Sequence, residues 1–411
     1  MLSSLLSPSR VLSFEELSPA DFAKAAFYLG GAPRKAAVVV DGRAFPERDA
    51  LVAGLQALCE TVVLDRVRPD PLASDVDAMR EMIGGGELGL VVGIGGGSVL
   101  DSAKALAMLA ANGGSLSDYL GPAPSRKIEK KGPPLLLVPT TAGTGSEATK
   151  VGVFTSDSGR KYTLGSPLLQ ADAAILSGSL AAGMPPALAA STGFDALSHA
   201  LESLWNRNAT PVTVQAAVDA AVAVLRGLEP AYDAAVAAAA GKPLPGAKAA
   251  ALRMLEAASM AGFAFSRTGT AMVHALSFVL SEEWHVPHGA ACAFTLEDAY
   301  RYALSEPENR ARLARIGEAL FPEAAARSDA KGGATESAAD RDERLAGLLL
   351  ERVLVLKRKM GLPERFADLG ISVDRGAIPG LFARSFDDPK MANNFPAAER
   401  PAVYAILEAK A

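Results

Sequence analysis

Cysteine is nearly absent: Cys59 and Cys292 are the only two among 411 residues. Thiols this far apart in sequence build no disulfide framework and read as reduced, buried groups, as expected of a cytoplasmic protein. An excess of basic charge is also missing, with 41 Lys and Arg against 46 Asp and Glu and a formal net charge of −5. Nucleic-acid binders usually neutralise phosphates with a basic surface, so no nucleic-acid partner is expected. No uninterrupted apolar run reaches the roughly 18 residues that mark a membrane helix. The opening stretch MLSSLLSPSRVLSFEELS lacks the basic start, long apolar core and cleavage site of a secretory signal. Neither a membrane partner nor secretion is expected. Histidine is scarce as well, with only His199, His274, His285 and His288, and three of the four fall within fifteen residues.

What the chain has is apolar material. It is 49% hydrophobic, which is ordinary globular usage, and its length suits two domains. In the first 180 residues, KAAVVVD (35–41), TVVLDRV (61–67), LGLVVGI (88–94) and PLLLVPT (134–140) read as buried strands alternating with amphipathic helical stretches. That alternation predicts a Rossmann-like α/β domain built on a parallel sheet. From about residue 185 onward, long Ala- and Leu-rich segments follow one another without a convincing strand, predicting an all-α helical domain. The expected division is 1–184 and 185–411, at GMPP (183–186). The polar stretch Glu323–Arg344 reads as an exposed loop or locally disordered insert.

LGLVVGI runs straight into Gly95-Gly96-Gly97-Ser98, and the residues after it are helical. Glycines at such a turn let backbone approach a phosphate, which the N–H groups and positive end of the helix attract. Ser98 and Asp101 have capping-box spacing, which places the helix start at Ser98. A glycine cluster alone does not separate a ligand site from a tight turn. A second loop follows the next strand, carrying Thr140, Thr141, Gly143, Thr144, Gly145 and Ser146. In open parallel sheets both loops would lie at the carboxyl ends of strands, where ligands bind. Asp41, ending the first of these strands, is placed to accept hydrogen bonds from a ribose diol. Arg43 nearby could instead hold a 2′-phosphate, so NAD is favoured over NADP by the carboxylate alone.

Asp195 and His199 stand four apart in a helical pattern, on one face and one turn from each other. His274 lies in a helical segment, while His285 and His288 lie in a loop, WHVPHG. One carboxylate with up to three imidazoles is an O/N set suited to Fe(II), Zn(II), Mn(II) or Co(II), without the thiolates of a structural zinc site.

Taken together, GGGSVLDSAK, PTTAGTGSEAT, GFDALSHALES and VHALSFVLSEEWHVPHG resemble the iron-containing (group III) alcohol dehydrogenase family, in its order and over nearly the whole chain. The resemblance implies a dinucleotide-binding α/β domain, a helical domain and one divalent metal, Fe(II) first among the candidates. It also implies that Asp195, His199, His274 and His288 are metal ligands, leaving His285 outside the set. Gly95, Gly96, Gly97 and Ser98 would hold the pyrophosphate, with Asp101 in the same motif; Thr140, Thr141 and Thr144 would line the nicotinamide side. Lys161 would approach the cofactor ribose, and Asp41 matches the adenosine-ribose carboxylate. Small-molecule alcohol and aldehyde substrates and a homodimer or higher homo-oligomer are implied too.

Three departures stand out. Phe278 occupies the position of a histidine that relays the alcohol proton in many members, which makes His285 or a cofactor hydroxyl through water the candidate relay. Ser177-Gly178 replaces an Asp-Pro pair. Arg267, seven residues before His274, is a candidate fork for an anionic substrate, since guanidinium matches phosphonate, sulfonate or carboxylate geometry. The segment around it is similar to the branch that interconverts phosphonoacetaldehyde and 2-hydroxyethylphosphonate. The expected function is therefore a metal- and NAD(P)-dependent oxidoreductase interconverting a small aldehyde and its primary alcohol, with an anionic aldehyde as the finer form. The alternative is a lyase or synthase of the dehydroquinate-synthase type on the same scaffold.

Overall fold

The apolar runs of the first part become strands β1 (Arg10–Phe14), β2 (Lys35–Asp41), β3 (Glu60–Val67), β4 (Leu90–Gly95), β5 (Leu135–Pro139), β6 (Val151–Thr155), β7 (Lys161–Gly165) and β8 (Ala173–Ser177) in a computed structural model. The structure describes residues 10–42, 46–326 and 336–411; Arg43 lies outside them. Six strands form one parallel sheet in the order β1-β8-β5-β4-β2-β3, and β6 and β7 form an antiparallel pair. The central strands β4 and β5 carry no polar side chain, and β2 none between Lys35 and Asp41, because both faces are covered. In β2, Ala37 and Val39 enter one core with Val91, Leu100 and Leu137. The alternate residues Ala36, Val38 and Val40 enter a second core with Val92, Ile94 and Leu51. Helices α1 (Pro19–Leu29), α2 (Pro46–Gln56), α3 (Ala73–Ile83), α4 (Gly97–Asn112) and the single turn α5 (Gly178–Ala181) complete this α/β part.

From residue 186 the described residues form no named strand. Helices α6 (Pro186–Leu204), α7 (Pro211–Ala239), α8 (Ala247–Thr268), α9 (Met272–Trp284), α10 (His288–Ala303), α11 (Pro307–Leu320), α12 (Pro322–Ala325), α13 (Ala338–Lys359), α14 (Ile378–Phe382) and α15 (Arg400–Glu408) follow. Among the described residues α7 alone is long and apolar enough to cross a bilayer, and 56% of its most apolar stretch is buried in the protein, as in a core helix.

The chain divides into two compact units, Met1–Pro185 with Ala234–Gly262, and Pro186–Asp233 with Phe263–Ala411. The first break falls at GMPP, while Ala234–Gly262 goes with the α/β unit rather than with the helices around it. Glycine explains that excursion. A Cβ on Gly145 would meet the Ala258 carbonyl oxygen at 2.5 Å, and one on Gly178 would collide with the Lys248 backbone, so the first half of α8 lies directly on the loops of the α/β unit. This contact accounts for glycine at position 178.

Two local expectations are corrected. The helix after the glycine turn starts at Gly97 with Gly96 as N-cap and no side-chain cap. Asp101 is drawn away from Ser98 because its carboxylate accepts from Ser146 Oγ at 2.6 Å and from the Val153 amide at 2.8 Å. In the polar stretch 323–344, residues 327–335 lie outside the described residues, while α12 runs through Ala325 and α13 already begins at Ala338, so its described part is largely helical. Ser337 caps α13 by accepting from the Asp340 amide at 3.2 Å, and Arg344 pairs with Glu336 at 2.7 Å. The apolar face of α13 starts only at Leu345, which is why composition conceals its first two turns.

Candidate active site

Glycine at the β4–α4 turn is required by close approach. A Cβ on Gly97 would sit 2.7 Å from Thr144 Cγ2, and one on Gly96 would sit 3.4 Å from Thr141. The Thr140 amide donates to the Gly95 carbonyl at 3.0 Å. The structure therefore brings Gly95, Gly96, Gly97 and Ser98 together with Thr140, Thr141 and Thr144 at the carboxyl end of β4 and β5. With no side chain capping α4 at Gly96, its N-terminus presents backbone amides and the positive end of the helix dipole, a cradle that fits a pyrophosphate.

A buried lysine props this cradle from below. Lys104 Nζ shares its three protons among the Ser146 carbonyl at 2.6 Å, Ser146 Oγ at 2.7 Å, Thr149 Oγ1 at 2.9 Å and the Val151 carbonyl at 2.6 Å. Burial pushes its pKa down to about 8 even though Asp101 and Glu147 favour the ammonium. Burial likewise pushes the carboxyls of Asp101 and Glu147 up.

Asp41 ends β2 beside Val67. Its backbone carbonyl accepts from Arg48 Nη1 at 2.7 Å, a cation beside this candidate that the sequence reading missed. Lys161 begins β7 and pairs with Asp70 at 2.7 Å.

In the helical unit the carboxylate and three imidazoles converge. Asp195 Oδ1 lies 3.8 Å from His199 Nδ1, 3.4 Å from His274 Nε2 and 3.6 Å from His288 Nε2. Donor atoms about 2.0–2.1 Å from a shared tetrahedral centre would stand roughly 3.3–3.4 Å apart, so the His274 spacing fits a shared divalent cation, the His288 spacing comes close, and His199 stands furthest out. Asp195 Oδ1 and His274 Nε2 are buried with no hydrogen-bond partner, as expected of atoms reserved for a metal. Burial would raise the Asp195 carboxyl, yet His199, His288 and His274 hold it below the usual carboxylate range. Burial opposes the imidazolium forms of His274 and His288, but Cys292 and the neighbouring carboxylates raise both above the ordinary histidine value.

Helix packing sets this geometry. Asp195 and His199 share a face of α6, and a Cβ on Gly289 would strike the Ser191 carbonyl, so glycine lets the start of α10 lie against α6 and carry His288 inward. The His199 ring stacks between Phe265, at a 4.1 Å centroid separation, and His274, at 4.4 Å. His274 Nδ1 meets Glu202 Oε2 at 2.5 Å, and Glu202 Oε1 accepts from the Val273 amide at 2.6 Å. One buried carboxylate thus stands in for an N-cap on α9 and aims the far nitrogen of His274 at Asp195. His288 is the most open of the four, with its side chain 30% exposed.

Other expected residues fall elsewhere. His285 does not join the cluster. Its backbone, at φ 54°, caps α9 in the left-handed region, and its side chain is exposed. The structure makes its backbone the C-cap of α9. The Arg267 guanidinium donates to the Phe263 carbonyl at 2.8 Å and stacks on the Phe263 ring at 3.6 Å. Phe278 sets its ring 6.1 Å from that of His288 and carries Lys390 Nζ over its face at 3.7 Å. Sequence reasoning missed Glu202, Cys292 and Lys390. Glu202 had a signal, seven residues after Asp195 on the same helical face; Lys390 had none.

Residues 18–177 match the family model described as iron-containing alcohol dehydrogenase, and residues 189–411 match that of the C-terminal part of the Fe-containing alcohol dehydrogenase family. The chain belongs to the iron-containing alcohol dehydrogenase family. A relative called sulfoacetaldehyde reductase, from Bilophila wadsworthia, is 32% identical over 78% of this chain and 76% of its own. Long-chain-alcohol dehydrogenase 1 of Geobacillus thermodenitrificans is 40% identical, and that match spans only 51% of this chain and 51% of that enzyme. The solved structure of a sulfoacetaldehyde reductase from Bifidobacterium kashiwanohense, in complex with NAD+, superposes with a TM-score of 0.77 at 26% identity, covering 98% of this chain and 97% of that one.

Membership in the iron-containing dehydrogenases implies NAD(H) and a divalent metal, and the Asp/His cluster fits the latter. Glu202 makes that fit testable, because carboxylates behind a ligating histidine typically govern metal affinity about 10–100-fold. Glu202→Gln keeps the shape but removes the charge behind His274. Metal titration of the variant is expected to show affinity reduced by roughly 10–100-fold; unchanged affinity would mean that Glu202 serves only to cap α9.

Proposed function

We propose that this protein is an NAD(H)-linked, metal-dependent oxidoreductase that reduces a small aldehyde to its primary alcohol. The carrying observation is that His199, His274 and His288 each set a ring nitrogen 3.4–3.8 Å from Asp195 Oδ1, with Asp195 Oδ1 and His274 Nε2 unsatisfied by hydrogen bonds. A divalent cation there would supply Lewis acidity toward a carbonyl oxygen, and a nicotinamide would supply hydride. The chain's own part is to hold and shield these groups. Glu202 fixes the tautomer and direction of His274, Phe265 clamps the His199 ring, and the Gly95–Ser98 turn offers amides to a pyrophosphate. Net NADH consumption with simple aldehydes, after loading with Fe(II), Zn(II), Mn(II) or Co(II), tests this reading. Bound NAD that cycles without net turnover would instead favour the lyase or synthase alternative.

The finer proposal is an aldehyde carrying a sulfonate, phosphonate or carboxylate, supported by the relatives named sulfoacetaldehyde reductase. Two cations are candidates for the anionic group. Arg267 is already bonded to its own helix. Lys390, its side chain 14% exposed, pairs with Asp388 at 3.0 Å and rests on Phe278, whose ring neighbours His288. Hydrogen bonds to charged groups contribute about 1.5–3 kcal/mol. Lys390→Met is therefore expected to raise KM for sulfoacetaldehyde over that for propanal by roughly 10–100-fold, and Arg267→Ala by less. Equal effects on the two aldehydes in both variants would remove the anionic group from the proposal.

A further inference from the structure

Cys292 follows His288 by four residues on α10, so the two side chains leave one face of the helix a turn apart, as Asp195 and His199 do on α6. Cys292 is fully buried, and its Sγ lies 3.8 Å from His288 Nε2, the nitrogen that faces Asp195 Oδ1 at 3.6 Å. Asp195, His274, His288 and Cys292 each turn one donor atom inward, all within 4.8 Å of one another. Two of those atoms, Asp195 Oδ1 and His274 Nε2, are enclosed without a hydrogen-bond partner, so the sulfur borders donors that the protein leaves unsatisfied. We propose that Cys292 is itself a metal ligand, a thiolate donor added to Asp195, His199, His274 and His288. The proposal rests on the Asp/His cluster being a metal centre.

Ligation replaces the S–H bond with a metal–sulfur bond and releases the thiol proton to solvent, with no change of oxidation state. The consequence is selectivity. A soft thiolate on an otherwise nitrogen and oxygen set favours Zn(II) over harder Mn(II), beyond what one carboxylate and three imidazoles would do. Two i,i+4 pairs on facing helices, one of them His–Cys, thus make a chelate with a graded preference.

Cobalt reports sulfur ligation directly. Full-length protein, stripped of metal and reloaded with Co(II), is read by metal content and absorption. Wild type is expected to show a sulfur-to-cobalt charge-transfer band in the near ultraviolet. Cys59→Ser should keep that band, since Cys59 Sγ contacts the Leu55 carbonyl at 3.8 Å and Thr61 Oγ1 at 3.7 Å instead. Cys292→Ser and Cys292→Ala should each lose the band while retaining bound Co(II) and its visible d–d bands, and both should show a weaker preference for Zn(II) over Mn(II) in competition. Wild type that binds Co(II) without the band, or a Cys292→Ser protein that keeps it, overturns the thiolate and leaves the Asp/His centre standing. Wild type that takes up no Co(II) overturns both.

Discussion

Asp195→Ala is expected to abolish bound metal and aldehyde reduction together while leaving the helical unit folded. Asp195 is the hub of the cluster: one oxygen faces His199, His274 and His288 at 3.4–3.8 Å. It supplies negative charge among three imidazoles, two of which are raised above the ordinary histidine value. Without it the remaining nitrogens repel one another as they take up protons, and a divalent cation loses the one carboxylate of the Asp/His set. Loss of an outer partner typically costs about 10–100-fold, and loss of this ligand should exceed that in kcat/KM. His274→Ala should behave in the same way. Metal content, kcat/KM and the far-ultraviolet circular dichroism of both variants are the measurements. Full turnover by a metal-free variant would end the metal-dependent reading, whereas loss of the dichroism signal would show that Asp195 is needed to fold α6, α9 and α10.

The part of this site that sequence could disclose is the part that is local. Asp195 and His199 are one helical turn apart, and the glycine turn follows a strand directly, so spacing alone places each correctly. β2, β4 and β5 were legible because burial on both faces leaves unbroken apolar runs. β1, RVLSF, escaped notice because it is a largely exposed edge strand with no apolar run to mark it. Where tertiary contact competes with a local motif, the motif loses: Ser98 and Asp101 have capping-box spacing, yet Asp101 turns to Ser146 and Val153, 45 and 52 residues away. Cys292 was hidden for a different reason. Counted as disulfide material, two cysteines mean little, and only helix packing shows one of them beside three metal-ligand candidates. At His285 the backbone, not the residue type, decided what the structure shows: in the left-handed region it ends α9 with its side chain exposed.

Lys104→Met is expected to have the largest effect on stability. The ammonium holds four oxygen acceptors from Ser146, Thr149 and Val151 and lies 3.7 Å from Asp101. Methionine fills the space but strands those acceptors and leaves Asp101 and Glu147 buried without their counter-charge. Breaking a buried pair from one side costs about 3–5 kcal/mol, which for a unit of this size corresponds to a fall in Tm of roughly 10 °C. The loop that carries Thr140, Thr141 and Thr144 should loosen as well, weakening NADH binding. The pH dependence has a definite sign. Burial lowers Lys104 from 10.5 to about 8 in the folded protein. Between those values the unfolded chain keeps a proton that the folded chain has released, so this lysine's contribution to stability rises with pH across that window. The gap in Tm between wild type and Lys104→Met should therefore widen from about pH 7 to about pH 9.5. Scanning calorimetry across that range, with NADH fluorescence titration at its lower end, checks both statements. A variant within a degree or two of wild type would show that the loop is held by its own turns, and a gap that narrows with pH would show that Lys104 stays charged when buried.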